Sequence, residues 1–279
     1  MSNGGGFPTS GQFAGAYVPN DSAAQWGGQS TYDGSIAVTL FERAIVEPVL
    51  PPGFSLAART DGATTHPVIH MIGHQRNPML LEDGFLIPAL DLGYKEMTLL
   101  IPYVVANSGT MWHTFVVRMF LDDIAAIDIG NSWFAYQKEF AALPETDAPN
   151  VVDTDVMALF NGDVFSSAVT QNSQWTCACD APAVVPSWRD VQTLFAMPIV
   201  GVDVDPTSGH VTRILCSYWE WDYANVYVAA ASSQHDFVRI CRPGMGGWVG
   251  PCSSPSGGAL MIRGLRWRLA DPPTPTCQF

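Results

Sequence analysis

Two long apolar runs separated by a short turn set the strongest limit on what this chain can fold into. Leu92–Val105 and Met111–Phe120 are rich in β-branched and apolar residues, and Asn107-Ser108-Gly109 lies between them. Branched side chains suit a pleated surface, and Asn and Gly accept the backbone of a tight turn, so the pair predicts a β-hairpin. Val164–Val169, Leu194–Asp203, Val211–Trp221, Asn225–Ala231 and Ala259–Leu269 continue the pattern, and Pro67–Ile72 precedes it. Asp205-Pro206-Thr207-Ser208-Gly209 is a strong hairpin turn among them. Ser35–Ile45 reads as strand or short helix, and Phe134–Leu143 as strand or extended loop. Leu50-Pro51-Pro52-Gly53 is a rigid turn. One helix is marked: Asp122 or Asp123 caps its first turn, Ile124–Ile129 continues it, and Gly130 is its expected stop. Residues 1–30 are rich in Gly, Ser, Asn and Gln and read as a flexible arm, and Gly244–Gly258 as a loop or lid. No repeat of 20–50 residues occurs. The expected fold is mainly β (a β-rich α+β fold), a single domain over 31–279 curled into a barrel with a few short helices.

Composition narrows the partners. The formal net charge is −13, which repels phosphate backbones and anionic lipid surfaces, so no nucleic acid and no membrane partner is expected. No apolar stretch reaches the roughly 18 residues of a membrane-spanning helix. The N-terminus has neither a basic start nor an apolar run, so a cytoplasmic location is expected. With 47% apolar and only 14% charged residues, and nine Trp, much surface must be hidden, in a homo-oligomer interface or a wide apolar pocket. The six Cys are expected to be buried free thiols, because Cys177-Ala-Cys179 lacks the usual zinc spacing and no export signal is seen.

The chain holds only two lysines, Lys95 and Lys138, against eleven arginines. Strand alternation puts Tyr94, Glu96 and Thr98 on one face and Lys95 and Met97 on the other. Glu96 is then either solvent-facing or a carboxylate inside a barrel, placed for general acid–base work. His66, His70 and His74 recur every four residues, but Pro67 and Gly73 argue against the helix that would gather them on one metal, so no metal and no cofactor is expected. No nucleophile-elbow or dinucleotide-binding glycine motif occurs. The basic run Arg263-Gly264-Leu265-Arg266-Trp267-Arg268 alternates like a strand and reads as a solvated or ion-paired face.

The stretch from Tyr94 to Leu143 resembles the acetoacetate decarboxylase family. Leu121-Asp122-Asp123-Ile124-Ala125-Ala126-Ile127-Asp128-Ile129-Gly130 is similar to that family's short helix, and Lys138 follows with the family's spacing to its signature lysine. Gly93-Tyr94-Lys95-Glu96 resembles a strand carrying a pocket glutamate, and Val49-Leu50-Pro51-Pro52-Gly53-Phe54 an upstream turn. The likeness spans roughly residues 34–270 and is weaker outside 94–143. It implies a cone-shaped antiparallel β-barrel around an apolar cavity, with Lys138 forming a Schiff base to a ketone and Glu96 as the pocket carboxylate. Tyr94, Tyr136, Gln137, Arg118 and one or both of His70 and His74 are the expected substrate contacts.

The sequence departs from the family around the lysine and near the N-terminus. Glu139 replaces a second lysine, Gln137 a proline, and Asn131 an arginine. The arginine that holds a substrate carboxylate aligns with Tyr32 or Asp33; one of Arg263, Arg266 and Arg268 is a candidate replacement. A carboxylate beside a lysine raises its pKa, so Glu139 must point away if Lys138 is to be nucleophilic. The implied activity is a lyase or cyclase acting on a keto acid or polyketide-like ketone in secondary metabolism. The alternative is a non-covalent cyclase or ligand-binding barrel in which Lys138 only donates a hydrogen bond.

Overall fold

The structure, a computed structural model, describes residues 8–16, 25–82, 85–88, 93–106, 109–140, 153–160, 163–171, 187–205, 208, 210–237, 240–242, 245–248, 252–253 and 257–271. The first half of the chain gives β1 (Gln25–Glu42), α1 (Arg43–Val46), β2 (Phe54–Leu56), β3 (Thr65–Glu82), β4 (Phe85–Pro88), β5 (Tyr94–Ala106), β6 (His113–Leu121), α2 (Ile124–Phe134) and β7 (Lys138–Phe140). Then follow β8 (Asp153–Phe160), β9 (Asp163–Gln171), α3 (Trp188–Phe195), β10 (Ile199–Val204), β11 (Val211–Ser217) and β12 (Trp219–Asp222). The chain closes with β13 (Tyr227–Phe237), β14 (Ile240–Arg242), β15 (Met245–Trp248), β16 (Cys252–Ser253) and β17 (Gly257–Asp271). Short strands β15 and β16 therefore lie inside the segment expected to be a loop or lid.

One large sheet has the order β11-β10-β6-β5-β3-β1-β17-β13-β9-β8, and β14 and β15 form a separate ribbon. The ladder does not close on itself among the described residues. It bends nonetheless. β11 runs through the single residue Tyr218 into β12, which pairs with β17. On the ladder β11 and β17 are six strand spacings apart, about 29 Å if the sheet were flat. One residue spans only about 3.5 Å, so the sheet must curl to bring them together.

The expected all-antiparallel barrel is corrected in two respects. The ladder is open, and β6 pairs in parallel with both β7 and β10. Parallel neighbours need a crossover rather than a hairpin. α2 supplies it between β6 and β7, and α3 leads into β10. The β5–β6 hairpin does pair antiparallel, Glu96 opposite Leu121 through Val104 opposite His113.

β5 is buried along nearly its whole length because both faces are covered. Tyr94 and Leu100 belong to one apolar core with Met71, Met119, Tyr136 and Trp267. Met97, Leu99 and Ile101 belong to a second, on the other face, where Val49, Leu50 and Phe54 from the proline-rich turn cover them. Two covered faces explain why the strand reads as a continuous apolar run.

The N-terminal arm is partly tied down. Phe13 is buried and stacks on Tyr103 with ring centroids 3.8 Å apart, and β1 begins at Gln25, inside the stretch read as flexible. Cys216 is buried and disulfide-bonded, which corrects the expectation of free thiols throughout. Among the described residues no helix is long and apolar enough to cross a membrane.

Asp123, not Asp122, caps α2: its side chain accepts from Ala126 N at 2.8 Å. Asp122 Oδ1 instead accepts from Lys95 N at 2.8 Å and ties the helix entry to β5. The helix passes through Gly130 and ends one turn later, at Ala135 in the left-handed region (φ 52°). Asp123→Ala should lower unfolding stability by about 1 kcal/mol in denaturant melts, with the cap lost. An unchanged midpoint would show that α2 is held by packing alone.

Candidate active site

β7 and α2 together place Lys138. The turn after the helix brings the chain back alongside β6, where Lys138 pairs with Met119. Asn131 fixes the lysine backbone from both sides: Asn131 Nδ2 donates to Lys138 O at 2.9 Å, and Lys138 N donates to Asn131 Oδ1 at 2.7 Å. Asn131 is therefore a backbone clamp. Lys138 Nζ turns inward under α2 and donates to Ala126 O at 3.1 Å, with the Tyr94 ring centroid 5.8 Å away. Gly130 makes the space for it. A Cβ at Gly130 would overlap Lys138 Cδ and Cε. That tertiary contact, rather than a helix stop, accounts for the glycine.

Burial governs the electrostatics. Lys138 as a whole residue is half-buried, but its amine end sits in apolar surroundings. Desolvation lowers its pKa to about 8, against the opposing pull of Glu96 and Asp123. Glu96 is 3% exposed, and desolvation raises its pKa, moderated by a hydrogen bond from Gln75 and by the charge of Lys138. Gln75 Nε2 donates to Glu96 Oε1 at 2.7 Å, while Gln75 Oε1 accepts from Trp267 Nε1 at 2.8 Å. This chain fixes the amide orientation and holds one carboxylate oxygen in place. Tyr136 is buried and accepts from Trp219 Nε1 at 3.0 Å, and desolvation pushes its phenol well above the usual range.

Glu139 faces away from this cavity. Its Oε1 accepts from Arg118 Nε at 2.6 Å, and the Arg118 guanidinium lies over Phe120. Adjacent residues of an extended strand point to opposite sides, so the Glu139 carboxylate is kept off the Lys138 amine. Among the described residues no cation assists Lys138, and burial does the lowering.

The interior has two lobes that share Glu96, Met119, Tyr136 and Trp219. Lys138, Tyr94, Ala126, Gly130 and Trp267 line one, with about 60 Å³ open to water. Thr98, Leu100, Phe195 and Trp221 line the other, with about 40 Å³. Of the residues expected at the site, Lys138, Glu96, Tyr94 and Tyr136 come together. The other four do not line either lobe. On β3 the inward residues are Met71 and Gln75, so alternation puts His70 and His74 on the opposite face, His70 near Phe41 with ring centroids 6.4 Å apart. Gln137 turns to β10, where Nε2 donates to Val202 O at 2.9 Å, and Arg118 is held by Glu139.

The proposed carboxylate clamps are also elsewhere. Arg266 and Arg268 are exposed on β17, and Arg263 lines neither lobe. Tyr32 is fully buried in the core, while Asp33 accepts from Gly264 N at 2.7 Å and pairs with Arg76. His66 is buried with Nε2 against Pro102 O at 2.7 Å and its pKa lowered to about 3 by desolvation, a neutral core histidine. Among the described residues no cluster of His, Cys, Asp or Glu forms a metal site. Gln75, Met119, Trp219 and Trp267 were not legible as site residues. Thr98 was marked only by sharing a face with Glu96.

A curled, mainly β sheet with a buried lysine and carboxylate in its apolar interior is the class that fold and site define. Solved structures of similar shape include an acetoacetate decarboxylase from Legionella pneumophila subsp. pneumophila, at 13% identity and TM-score 0.54, covering 91% of this chain and 89% of that one. A second acetoacetate decarboxylase structure matches at 14% identity and TM-score 0.52, covering 88% and 87%. The enduracididine biosynthesis enzyme MppR complexed with pyruvate matches at 12% and 0.50, covering 91% and 89%. At these identities the likeness is one of fold. No family model and no curated protein sequence matches the chain.

A glycine inside a helix normally gains about 1 kcal/mol on change to Ala. Gly130→Ala should push the flexible end of Lys138 out of the lobe at little cost in fold stability, because the atoms nearest the new Cβ are its Cδ, Cε and Nζ. Titration of the Lys138 amine should then move up towards the ordinary lysine range; a pKa still at about 8 would contradict the close packing.

Proposed function

We propose that the chain is a lyase of the acetoacetate-decarboxylase-like kind that uses Lys138 to form an imine with a small ketone or keto acid. The observation that carries this reading is the Lys138 amine, held in an apolar interior with its pKa lowered to about 8 and a buried carboxylate, Glu96, lining the same lobe. At pH 7 roughly one amine in ten is neutral, against about one in three thousand for an unperturbed lysine. The neutral nitrogen attacks the ketone carbon, the ketone oxygen leaves as water, and a protonated imine results. Electrons from a breaking C–C bond then flow into the imine to give an enamine. In a decarboxylation CO₂ departs; in a retro-aldol step an aldehyde departs. Glu96, whose protonated form burial favours, gives or takes the proton on carbon. Hydrolysis of the imine returns Lys138.

The two lobes, with about 40 and 60 Å³ open to water, support a small substrate rather than a polyketide-like chain. The curling of the sheet supports a barrel-like enclosure around it. A homo-oligomer stays part of the proposal through the exposed Ile124, Trp133 and Phe140 on α2 and β7. Reaction in secondary metabolism and a cytoplasmic location belong to it as well, the latter against the disulfide at Cys216. The hydrogen bond from Lys138 Nζ to Ala126 O favours the second reading, a binding site in which the lysine stays a charged donor.

Borohydride trapping separates the two. With small methyl ketones, the reduced adduct should map to Lys138 by peptide mass spectrometry and vanish in Lys138→Ala. Deprotonation activates the amine, so trapping should rise from pH 6 to about 8 and level off above it. No adduct at Lys138 at any pH would sink the imine mechanism.

A further inference from the structure

The lobe away from Lys138 has features that an imine site does not need. Phe195, Trp221 and Trp219 stack along it, with ring centroids 4.6 and 5.4 Å apart. Two hydrogen-bond donors there are buried without a partner among the described residues: Thr98 Oγ1, on a residue 4% exposed, and Trp221 Nε1. Burying a donor without its hydrogen bond is costly, so a fold that keeps two in one lobe points to an acceptor arriving from outside. Thr98 is two residues beyond Glu96 on the same face of β5, about 7 Å further along the strand. A substrate bound at Lys138 and extended past Glu96 therefore reaches it.

We propose that this lobe is a subsite for a second, uncharged oxygen of the substrate, received by the Thr98 hydroxyl and the Trp221 indole N–H. The inference rests on the imine reading for the position of the substrate's ketone. Neutrality follows from the lining. Among the described residues no Lys, Arg or His lines this lobe, and the one carboxyl group there is Glu96. A substrate carboxylate would be buried without a cation and beside a carboxyl group, which is expensive. A neutral ester, amide or ketone oxygen needs only the two donors. The substrate class is a ketone carrying a second, neutral carbonyl or ether oxygen several bonds away, with no free carboxylate at that far end.

The test uses three methyl ketones: methyl levulinate, levulinate and 2-octanone, the last matching the ester in heavy-atom count. Half-saturating concentrations for borohydride trapping at Lys138 should be lowest for methyl levulinate. Thr98→Val and Trp221→Phe should each raise its value about fivefold relative to that of 2-octanone, as expected for one lost hydrogen bond. Thr98→Val should leave the melting temperature of the unliganded protein unchanged or higher, since that hydroxyl has no partner to lose. Levulinate trapped as tightly as its ester, or variants that move ester and 2-octanone alike, would overturn the subsite. If no ketone is trapped, the imine reading fails by itself. The subsite is then read by tryptophan-fluorescence titration of methyl levulinate in Lys138→Met with and without Thr98→Val. A fivefold weakening on loss of the hydroxyl supports it, and no difference overturns it.

Discussion

Everything at the centre of this protein depends on enclosing one amine. An ammonium group removed from water is costly, and the fold pushes the pKa of Lys138 down to about 8 by burial. Three local devices make that burial possible. Gly130 leaves a gap in α2 that the lysine stem fills. Asn131 holds the strand backbone so that the side chain turns inward. Arg118 draws Glu139 to the other side of the strand. Without the last, a carboxylate next in sequence would hold Lys138 in its charged form.

This is a different route to a lowered lysine pKa from that of acetoacetate decarboxylase, where a second cationic group assists. Here desolvation stands alone against two nearby acids, Glu96 and Asp123. Glu96 is itself desolvated and pinned by the Gln75–Trp267 chain. The site therefore holds a lysine and a carboxyl group whose charged forms are both disfavoured by the same apolar lining. Such a pair is suited to moving protons, and it costs the fold stability that an apolar pair would not.

The local half of this arrangement was legible in the sequence. The β-branched runs marked β5 and β6, and Asp123 followed by Ile124–Ile129 marked α2. Alternation from Glu96 gave its face, and alternation at Lys138 required Glu139 to point away. What was hidden depends on contacts distant in sequence. Gly130 looked like a helix stop because its reason is a side chain eight residues on, across a turn. His70 and His74 looked like pocket residues because only the register of β3 against β1 and β5 decides that Met71 and Gln75 face inward. Trp267 meets Gln75 across 192 residues, and no local pattern announces it. The parallel pairings of β6 follow from crossovers whose course the apolar pattern does not reveal.

Only two lysines in the chain make the central claim directly measurable. With ¹⁵N-labelled lysine, the side-chain resonances reduce to two, and Lys138→Met assigns them. The account predicts that the Lys138 amine titrates at about pH 8 in the folded protein and returns to the ordinary lysine range on unfolding in urea. A Lys138 resonance that titrates near the usual 10.5 in the folded state would contradict it.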